Sequence, residues 1–383
     1  MESRPLFSPG LITVDGPGED PNYLTRQLIT YLGNKRALAP AIEAAVIEVR
    51  NRLGGRRLRS VDLFTGSGFV ARLLKQHSDT VIANDLESYA VAAGQCFLSN
   101  RDEELLARVA DTVSGLNRAA AEGASHPGFF QELYAPADDK NIQPGERAFY
   151  TTDNARRLDF YAQEVVKLPE DVQRLIRGPL LSKASVHANT GGVFKGFYKD
   201  KATGVGKFGA TSGDALKRIL APIELEVPVL SEFESDYEVF QSDANTLAGN
   251  LSGADLVYID PPYNQHPYGS NYFMLNLLTS YMRPEEVSKV SGIPKGWNRS
   301  AYNVKKKALP AMESLIRDID ARFLLVSFNS EGFISTDELR GVLERYGAVE
   351  EQILKHNTYR ASRNLRGREI HVNEHLFLLD KEG

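Results

Sequence analysis

Short strand-like runs and amphipathic stretches alternate near the start of the chain. Residues 58–64 predict a buried strand, followed by a glycine-rich turn and an apolar helix over 69–76. Residues 80–83 predict a second short strand that ends in Asn-Asp, and the alanine content and periodicity of 87–98 predict a helix. A strand, a glycine turn, a helix, a strand and an acid in this order open a doubly wound α/β sheet.

The alternation stops near residue 101 and returns after residue 234. Residues 101–234 combine helix-compatible sequence with a segment rich in glycine, basic and aromatic residues. Beyond them a helix is predicted over 335–346, with Ser335 or Thr336 as its N-cap. Strand patterns also return there, at 237–240, 255–259, 322–328, 349–355 and 375–380. We expect the last two strands to form an antiparallel pair.

One interrupted sheet is the simplest architecture for this pattern. Residues 25–100 and 235–383 together form the sheet domain in this interpretation, and residues 101–234 are an insertion between its halves. Residues 1–24 are interpreted as a mobile leader. The N-terminus has no basic segment followed by an apolar core, which argues against a signal peptide.

The composition is that of a soluble globular protein, and it excludes several classes. The 383 residues are 42% hydrophobic and 25% charged, and no apolar stretch approaches the roughly 18 residues that a membrane helix needs. Cys96 is the only cysteine, which excludes an intramolecular disulfide and a cysteine-rich zinc site and predicts a reducing, cytoplasmic location. The net charge of −5 argues against a uniformly cationic surface but leaves room for a local basic face.

The most informative stretch runs from Val257 to Tyr263, where an apolar run ends in Asp-Pro-Pro-Tyr. Asp260 stands at the carboxyl end of a strand, and Pro261 and Pro262 stop the ladder because proline has no N–H to donate. The exocyclic amino group of a base is a poor nucleophile, since its lone pair is conjugated into the ring. The Asp260 carboxylate and the Pro261 carbonyl would hold both amino hydrogens, and Tyr263 would stack on the base, a contact worth roughly 1–3 kcal/mol. The alternative is a proline turn that only caps a strand.

A second candidate site lies in the turn after the first strand. Gly66 and Gly68 let the backbone turn tightly and approach a ligand, and the following helix offers free N–H groups at its N-terminus. The dinucleotide fingerprint would need a third glycine where Ala71 stands, and no Lys-Ser or Lys-Thr pair marks a P-loop. A compact ligand without a pyrophosphate therefore fits better. Asp85 follows Gly68 by 17 residues, at a position that receives ribose hydroxyls in this fold. The alternatives are a plain strand–helix turn for the glycines and an N-cap for Asp85.

Together these stretches resemble the D12 class of DNA N6-adenine methyltransferases, the group that includes Dam-like and many restriction–modification enzymes. The cofactor half precedes the insertion, as in the alpha group of this class. Four motifs match in the family's order: Tyr31-Leu32-Gly33-Asn34-Lys35-Arg36, Phe64-Thr65-Gly66-Ser67-Gly68, Asn84-Asp85 and Asp260-Pro261-Pro262-Tyr263.

The resemblance implies a Rossmann-like methyltransferase sheet with C-terminal antiparallel strands, S-adenosylmethionine as cofactor and double-stranded DNA as substrate. Lys35 would approach the carboxylate of the cofactor, the motif that contains Phe64 would wrap its methionine part, and Asp85 would bind its ribose. Asp243 resembles an acid that contacts the adenine of the cofactor, and is equally a helix cap. The insertion would recognise the DNA target.

Three further matches support a smaller subgroup, so that the likeness spans about residues 25–380; they lie at 264–272, 327–332 and 374–379. The methyl sulfonium implied by the resemblance is a strong electrophile, so no covalent nucleophile and no metal site are predicted. His266 is a tempting base beside the catalytic motif. We interpret it instead as a DNA-backbone or loop contact, because the aminium product is acidic enough to lose its proton to water or to Asp260.

Two basic segments are candidates for contacts with DNA phosphates. Over residues 181–218, seven basic and two acidic side chains give a local excess of five positive charges. The DNA contacts that we predict there are Lys195, Lys199, Lys201 and Lys207. Aromatic residues interleave with them: Phe194, Phe197, Tyr198 and Phe208. A second basic stretch, at 355–368, is too long for a hairpin turn, and its predicted contacts are Arg360, Arg363 and Arg366. Such contacts position an enzyme without specifying sequence, and the alternative for each segment is a solvated charged face.

A site-specific DNA adenine-N6 methyltransferase is therefore the preferred hypothesis, in a restriction–modification system or as an orphan enzyme. An N4-cytosine methyltransferase would use the same geometry, although Asp rather than Ser at position 260 favours adenine. A catalytically degenerate DNA-binding module is disfavoured, because Gly66, Gly68, Asp85, Asp260 and Tyr263 are all present. The sequence leaves open the recognition sequence, a cognate restriction endonuclease, and whether the protein is a monomer or a weak dimer.

Overall fold

The structure is a computed structural model that describes residues 18–26, 28–210, 215–329, 332–357 and 371–383. The side chains of residues 355–357 and 371–372 are outside the description. Most of the predicted leader and the predicted phosphate contacts Arg360, Arg363 and Arg366 also lie outside the described residues.

The described residues form seven strands and fourteen α-helices. The strands are β1 Leu58–Asp62, β2 Ser78–Asp85, β3 Asp236–Gln241, β4 Ala254–Ile259, β5 Ala321–Asn329, β6 Ala348–Asn357 and β7 His371–Asp380. The helices are α1 Pro21–Thr25, α2 Ala39–Arg52, α3 Phe69–Lys75, α4 Ser88–Phe97, α5 Glu103–Ala121, α6 Phe129–Tyr134, α7 Thr152–Val165, α8 Glu170–Val186, α9 Leu216–Leu220, α10 Ala244–Ala248, α11 Tyr268–Asn271, α12 Phe273–Ser280, α13 Lys305–Asp318 and α14 Thr336–Leu343. Single 3₁₀ turns lie at Lys35–Leu38 and Ala301–Asn303. None of the described helices is long and apolar enough to cross a bilayer.

All seven strands belong to one sheet, in the order β3-β2-β1-β4-β5-β7-β6. The strands from β3 to β5 in this order pair in parallel, and β7 inserts antiparallel between β5 and β6. The predicted α/β sheet with a C-terminal antiparallel pair is therefore confirmed. Because the chain winds one way from β1 to β3 and the other way from β4 to β5, the strand order reverses between β1 and β4. In open α/β sheets a ligand crevice forms at this point, outside the carboxyl ends of the strands.

Alternating side chains of the central strands bury opposite faces of the sheet. Val257 and its neighbours pack against α10, α13 and α14, whereas Tyr258 and its neighbours pack against α2 and α3. Most strand and helix boundaries lie within two residues of the predicted ones, but β7 begins at His371 and not at residue 375, and α14 ends at Leu343 and not at residue 346. β1 ends at Asp62 and not at Phe64. Of the two predicted N-caps of α14, the structure has Ser335, which also forms a capping box with Glu338.

Residues of the insertion share one hydrophobic core with two helices outside it. The helices α5 to α8 bury their apolar side chains in the same cluster as α4 and α12. Cys96 of α4 is fully buried in this cluster. No break in the packing of the described residues marks the predicted ends of the insertion at residues 101 and 234. The division of the chain at these residues therefore stays a prediction.

The end of the predicted leader is packed against α4. Tyr23 of α1 is 1% exposed and its hydroxyl donates a hydrogen bond to the Phe97 carbonyl at 2.7 Å. Asp20 caps α1 by accepting from the backbone N–H of Asn22. Residues 20–24 are therefore held in place, and the predicted boundary at residue 24 does not coincide with a change in packing.

Candidate active site

Two adjoining clefts open at the carboxyl edge of the sheet, at the reversal between β1 and β4. The larger has a volume of about 690 Å³ and the smaller about 290 Å³. The side chains or backbones of Tyr31, Gly33, Phe64 and Asp260 line both of them. The glycine turn and the Asp-Pro-Pro-Tyr motif, which are distant in sequence, therefore face one continuous space.

Positive backbone φ angles shape the glycine turn beneath the smaller cleft. Gly66 has φ +54° and Gly68 has φ +78°, in the left-handed region that favours glycine. The turn is tied to β2, because the Thr65 N–H donates to the Asn84 carbonyl at 2.9 Å. A Cβ at Gly66 would lie 2.9 Å from the ring of Tyr31, which explains why only glycine fits there.

Asp85, at the end of β2, supports the same turn. Its Oδ2 accepts from the Gly66 N–H at 2.7 Å and its Oδ1 accepts from the Glu87 N–H at 2.9 Å. Burial raises its pKa to about 6, although these backbone donors oppose the effect. The carboxylate also lines the larger cleft, so the ribose role predicted for it stays a prediction that the geometry allows.

Asn84 joins the ends of three strands, a role that sequence reasoning missed. Its side chain donates to the Leu63 carbonyl and to the Ser242 carbonyl, both at 3.1 Å, and accepts from the Ser242 N–H at 3.1 Å. The residues that follow β1, β2 and β3 are thereby held together under the larger cleft. The Asn-Asp pair was visible in the sequence, but nothing in it indicated this second function.

Tyr31 packs against two rings of the segment that follows the catalytic motif, and these two rings also pack on each other with centroids 5.9 Å apart. It stacks on Tyr268 with centroids 5.0 Å apart and on Tyr272 with centroids 4.9 Å apart. The Tyr272 hydroxyl accepts from the Leu32 N–H at 2.7 Å, and the Tyr268 hydroxyl donates to the Leu32 carbonyl at 3.1 Å. These contacts explain the match at residues 264–272, because that segment fixes the first cofactor motif against the glycine turn.

A cluster of charged groups surrounds Asp260. The Lys35 ammonium forms an ion pair with Glu374, lies 3.3 Å from Asp260 Oδ1 and lies 2.6 Å from the Tyr263 hydroxyl. The Tyr263 hydroxyl donates to Asp260 Oδ1. Burial raises the pKa of Asp260 to about 6, although Lys35 opposes this rise. Burial lowers the pKa of Lys35, but Asp260 and Glu374 outweigh it, so the pKa lies above that of an ordinary lysine.

The residues of the predicted catalytic motif lie together beside the clefts, but Tyr263 and Lys35 make contacts that the sequence did not predict. Tyr263 contacts Asp260 through its hydroxyl, and its ring packs edge-on against Phe328 at 5.3 Å between centroids. Lys35, predicted to approach the cofactor, lies between the smaller cleft and the catalytic acid. The stacking role of Tyr263 and the cofactor role of Lys35 stay predictions.

In the loop after β4, donors of the described residues reach the carbonyls of Tyr263 and Asn264 but not those of Pro261 and Pro262. The two later carbonyls are engaged, because Tyr263 accepts from the Phe333 N–H at 3.0 Å and Asn264 accepts from the Asn303 side chain at 2.8 Å. Within the described part of the chain, no donor is bonded to the Pro261 carbonyl oxygen. Pro262 lines the larger cleft beside Asp260. Asp260 lines both clefts, whereas Pro261 is buried and lines neither, so the acceptor role of the Pro261 carbonyl stays a prediction.

Asp62 is a buried acid that the sequence did not single out. It ends β1, lines the smaller cleft and is 1% exposed. Among the described residues neither carboxylate oxygen has a hydrogen-bond partner of good geometry, although the N–H groups of Phe64 and Ala71 face it. Burial and the nearby Asp260 raise its pKa to about 8. Its position directly before the glycine motif was the available signal.

Asp243 lies on the rim of the larger cleft. Its Oδ1 accepts from the N–H groups of Asn245 and Thr246, so it caps α10 as the alternative interpretation held. Asp243 lines the larger cleft together with Asp85 and Phe64. The cap and the predicted contact with a cofactor are compatible.

The basic part of the insertion forms a hairpin-like loop next to the catalytic motif. Lys195 Nζ lies 3.4 Å from Nδ1 of His266, so the two predicted DNA contacts are neighbours. Lys199 and Lys201 are exposed near the tip of the loop, and Lys207 is half-buried in its returning arm. The buried side chain of Asn189 fixes the base of the loop through the Ala148 and Lys207 carbonyls and the Gly209 N–H.

The interleaved aromatic residues do not form an exposed surface. Phe194 is 2% exposed and Phe197 is 9% exposed, and both pack into the core of the insertion. The Lys199 ammonium lies over the ring of Phe197 at 4.9 Å from its centroid. These rings anchor the loop and leave the lysines to face solvent.

Comparison with known proteins supports the family resemblance that the sequence motifs indicated. The profile of the family described as D12 class N6 adenine-specific DNA methyltransferase matches residues 31–342. The type II methyltransferase M.NlaIII of Neisseria lactamica is 29% identical over 364 residues, 92% of this chain and 99% of the relative. M.CviAII, a type II methyltransferase of Paramecium bursaria Chlorella virus 1, is 28% identical over 92% of this chain and 98% of its own. The modification methylase StsI of Streptococcus sanguinis is 26% identical over 92% of this chain and 52% of its own.

Proposed function

Because this chain belongs to the D12 class of N6 adenine-specific DNA methyltransferases, we propose that it transfers the methyl group of S-adenosylmethionine to an extruded adenine. The observation that carries the proposal is the continuous space between the glycine turn and Asp260. A donor bound over the turn and an amino group bound at Asp260 would face each other there. The crevice lies where α/β sheets of this kind bind nucleotides.

The residues of the two clefts fit this cofactor. Asp62 presents carboxylate oxygens without good partners to the smaller cleft, which suits the ammonium of a methionine group. Lys35 lies in the same cleft and would meet the methionine carboxylate, while Asp85 would accept from the ribose hydroxyls. Tyr31, Phe64, Gly66 and Gly68 would shape the walls, and Asp243 would lie at the adenine. When bound, the cofactor supplies a methyl group on a positively charged sulfur.

Asp260 and Pro261 prepare the target amino group for attack. The carboxylate and the adjacent carbonyl would accept one N6 hydrogen each, which frees the nitrogen lone pair from the ring. The ionised form of Asp260 is required for this role, so its raised pKa places the onset of activity near pH 6. The proton released after transfer would pass to water or to Asp260. Tyr263, half-buried beside the acid, would cover the base face.

The loop that carries Lys195, Lys199, Lys201 and Lys207 would hold the DNA backbone while the base is extruded. Extrusion costs a few kcal/mol of lost stacking and pairing, which phosphate contacts help to offset. His266 would extend this surface towards the catalytic motif, since it adjoins Lys195. We propose the same phosphate role for Arg360, Arg363 and Arg366, which lie outside the described residues.

The names of the relatives indicate the biological setting. Two are named type II methyltransferases and one a modification methylase. We propose that this protein supplies the modification activity of a restriction–modification system and has a cognate endonuclease. Its DNA substrate and its free, buried Cys96 are consistent with a cytoplasmic location.

The proposal is tested by incubating the protein with tritium-labelled S-adenosylmethionine and mixed duplex DNA, followed by nucleoside analysis. Label in N6-methyladenine is the expected result, and sequencing of modified bases then gives the recognition site. Label in N4-methylcytosine would overturn the choice of base. Cofactor and DNA binding without any transfer would indicate a DNA-binding module instead.

A further inference from the structure

Glu374 of β7 is a buried acid fixed directly behind the catalytic site. It is 5% exposed, and its partners on the neighbouring strand β5 are the Ser327 hydroxyl, 3.1 Å from Oε1, and the Asn329 amide, 3.3 Å from Oε2. Its backbone lies opposite Asn329 in the β5–β7 ladder. Both carboxylate oxygens are therefore held by the sheet and not by a flexible loop.

The Lys35 ammonium is shared unequally between two carboxylates. Its contact with Glu374 Oε1 is the short one, while Asp260 Oδ1 lies 3.3 Å away. Lys35 is itself 6% exposed, so water does not screen these interactions strongly. Glu374 is consequently the nearer of the two carboxylates, and both Asp260 and Glu374 raise the pKa of Lys35.

We propose that Glu374 is a positioning residue for methyl transfer. It holds the Lys35 ammonium back from Asp260, so that the Asp260 carboxylate can still accept hydrogen bonds from the target amine. A hydrogen bond between two charged groups is roughly twice as strong as one between neutral groups. An ammonium centred on Asp260 would therefore compete successfully with the neutral amino group of adenine. The inference rests on the proposed function, because it requires Asp260 to accept the N6 hydrogens.

The charge of Glu374 also affects the protonation of Asp260. Charged and titratable groups face Asp260 from several elements: Lys35, Glu374, Asp62, Tyr258, Tyr263 and Tyr268. Among them Glu374 raises the pKa of Asp260, and Lys35 lowers it. Neutralising Glu374 removes a nearby negative charge and frees the ammonium to approach Asp260, and both changes lower that pKa.

The test is the variant Glu374→Gln, which keeps the shape of the side chain and removes its charge. At saturating cofactor and DNA we expect kcat to fall about 10-fold or more. In the pH profile of kcat/KM, the acid limb should shift to lower pH by roughly 0.5–1 unit, while the KM values should change less than about threefold. Glu351→Gln is the matched control: Glu351 lies on β6, the strand paired with β7, is 11% exposed and pairs with His375 and Arg340. We expect it to leave kcat and the acid limb unchanged.

Three results would overturn the inference. The first is a Glu374→Gln enzyme with wild-type kcat and an unshifted acid limb. The second is a Glu374→Gln enzyme that has lost stability and activity, but whose fraction shown by circular dichroism to be folded keeps the wild-type pH profile. This result would show a merely structural role. The third is an equal loss of kcat from Glu374→Gln in a Lys35→Met background, because the proposed effect acts through Lys35. Absence of transfer by the wild-type protein would overturn the proposed function and this inference with it.

Discussion

Replacing Gly66 by alanine should destabilise the protein more than the same change at Gly68. Both glycines have φ in the left-handed region, where a Cβ costs about 1–2 kcal/mol. The surroundings differ, because a Cβ at Gly68 would meet no atom within 4 Å, whereas one at Gly66 would lie 2.9 Å from Tyr31. Gly68→Ala is thus the matched control that isolates the steric contact.

The ring of Tyr31 has little freedom to move away. Tyr268 and Tyr272 stack on it, and its hydroxyl lies 3.3 Å from that of Tyr89. Forcing extra atoms into such a site costs about 1–3 kcal/mol. The free energy of unfolding should therefore fall by about 1–2 kcal/mol in Gly68→Ala and by about 2–5 kcal/mol in Gly66→Ala.

Urea unfolding followed by circular dichroism measures both losses. Adding Tyr31→Ala to each variant completes the test, since removal of the ring should make the two glycine substitutions cost nearly the same. Equal losses in the two single variants, within about 0.5 kcal/mol, would refute the argument that the Tyr31 ring is rigidly held.

Three other predictions concern separate parts of the site. Asp260→Ala should abolish transfer while calorimetry shows nearly unchanged cofactor affinity, and retention of more than a few per cent of the rate would contradict the role of Asp260. Asp85→Ala should weaken cofactor binding by about 10-fold or more, which corresponds to one hydrogen bond to a charged group, and unchanged affinity would contradict the role of Asp85. Lys199→Ala and Lys201→Ala should each reduce the slope of log affinity against log salt by about 1 for any duplex sequence, whereas Lys167→Ala, whose ammonium pairs with Glu164, should leave the slope unchanged. The pKa of Asp62 is about 8 in the folded protein and near 4 in the unfolded chain, so the free energy of unfolding of the wild type falls as the pH rises between these values. The stability of Asp62→Asn relative to wild type should therefore increase from pH 5 to pH 8. A difference that does not depend on pH would show that Asp62 is not buried and unpaired.

The sheet and the catalytic loop could be predicted from sequence because their signals are local. Strand periodicity, the glycine turn and Asp-Pro-Pro-Tyr each occupy a few consecutive residues. The contacts that complete the site are long-range: Lys35 and Glu374 are 339 positions apart, and only the tertiary fold brings them together. Nothing in either local sequence reveals such a pair.

The aromatic residues of the insertion illustrate a second limit. Phe194 and Phe197 stand among glycines and lysines, a context typical of an exposed nucleic-acid-binding loop. In the structure they are buried, because the loop folds back on the Asn189 side chain and places them in the core. Composition identified the basic surface but could not tell which side of the loop faces the interior.

The continuity of the core between the insertion and the helices α4 and α12 limits how target specificity could be engineered. A chimaera that exchanges residues 101–234 between relatives would cut through one hydrophobic cluster and leave mismatched side chains on both sides of the cut. Exchanges should therefore carry α4 and α12 with the insertion, or redesign their facing side chains. The insertion, for which we propose DNA recognition, and the helices α4 and α12 therefore share one set of packing constraints.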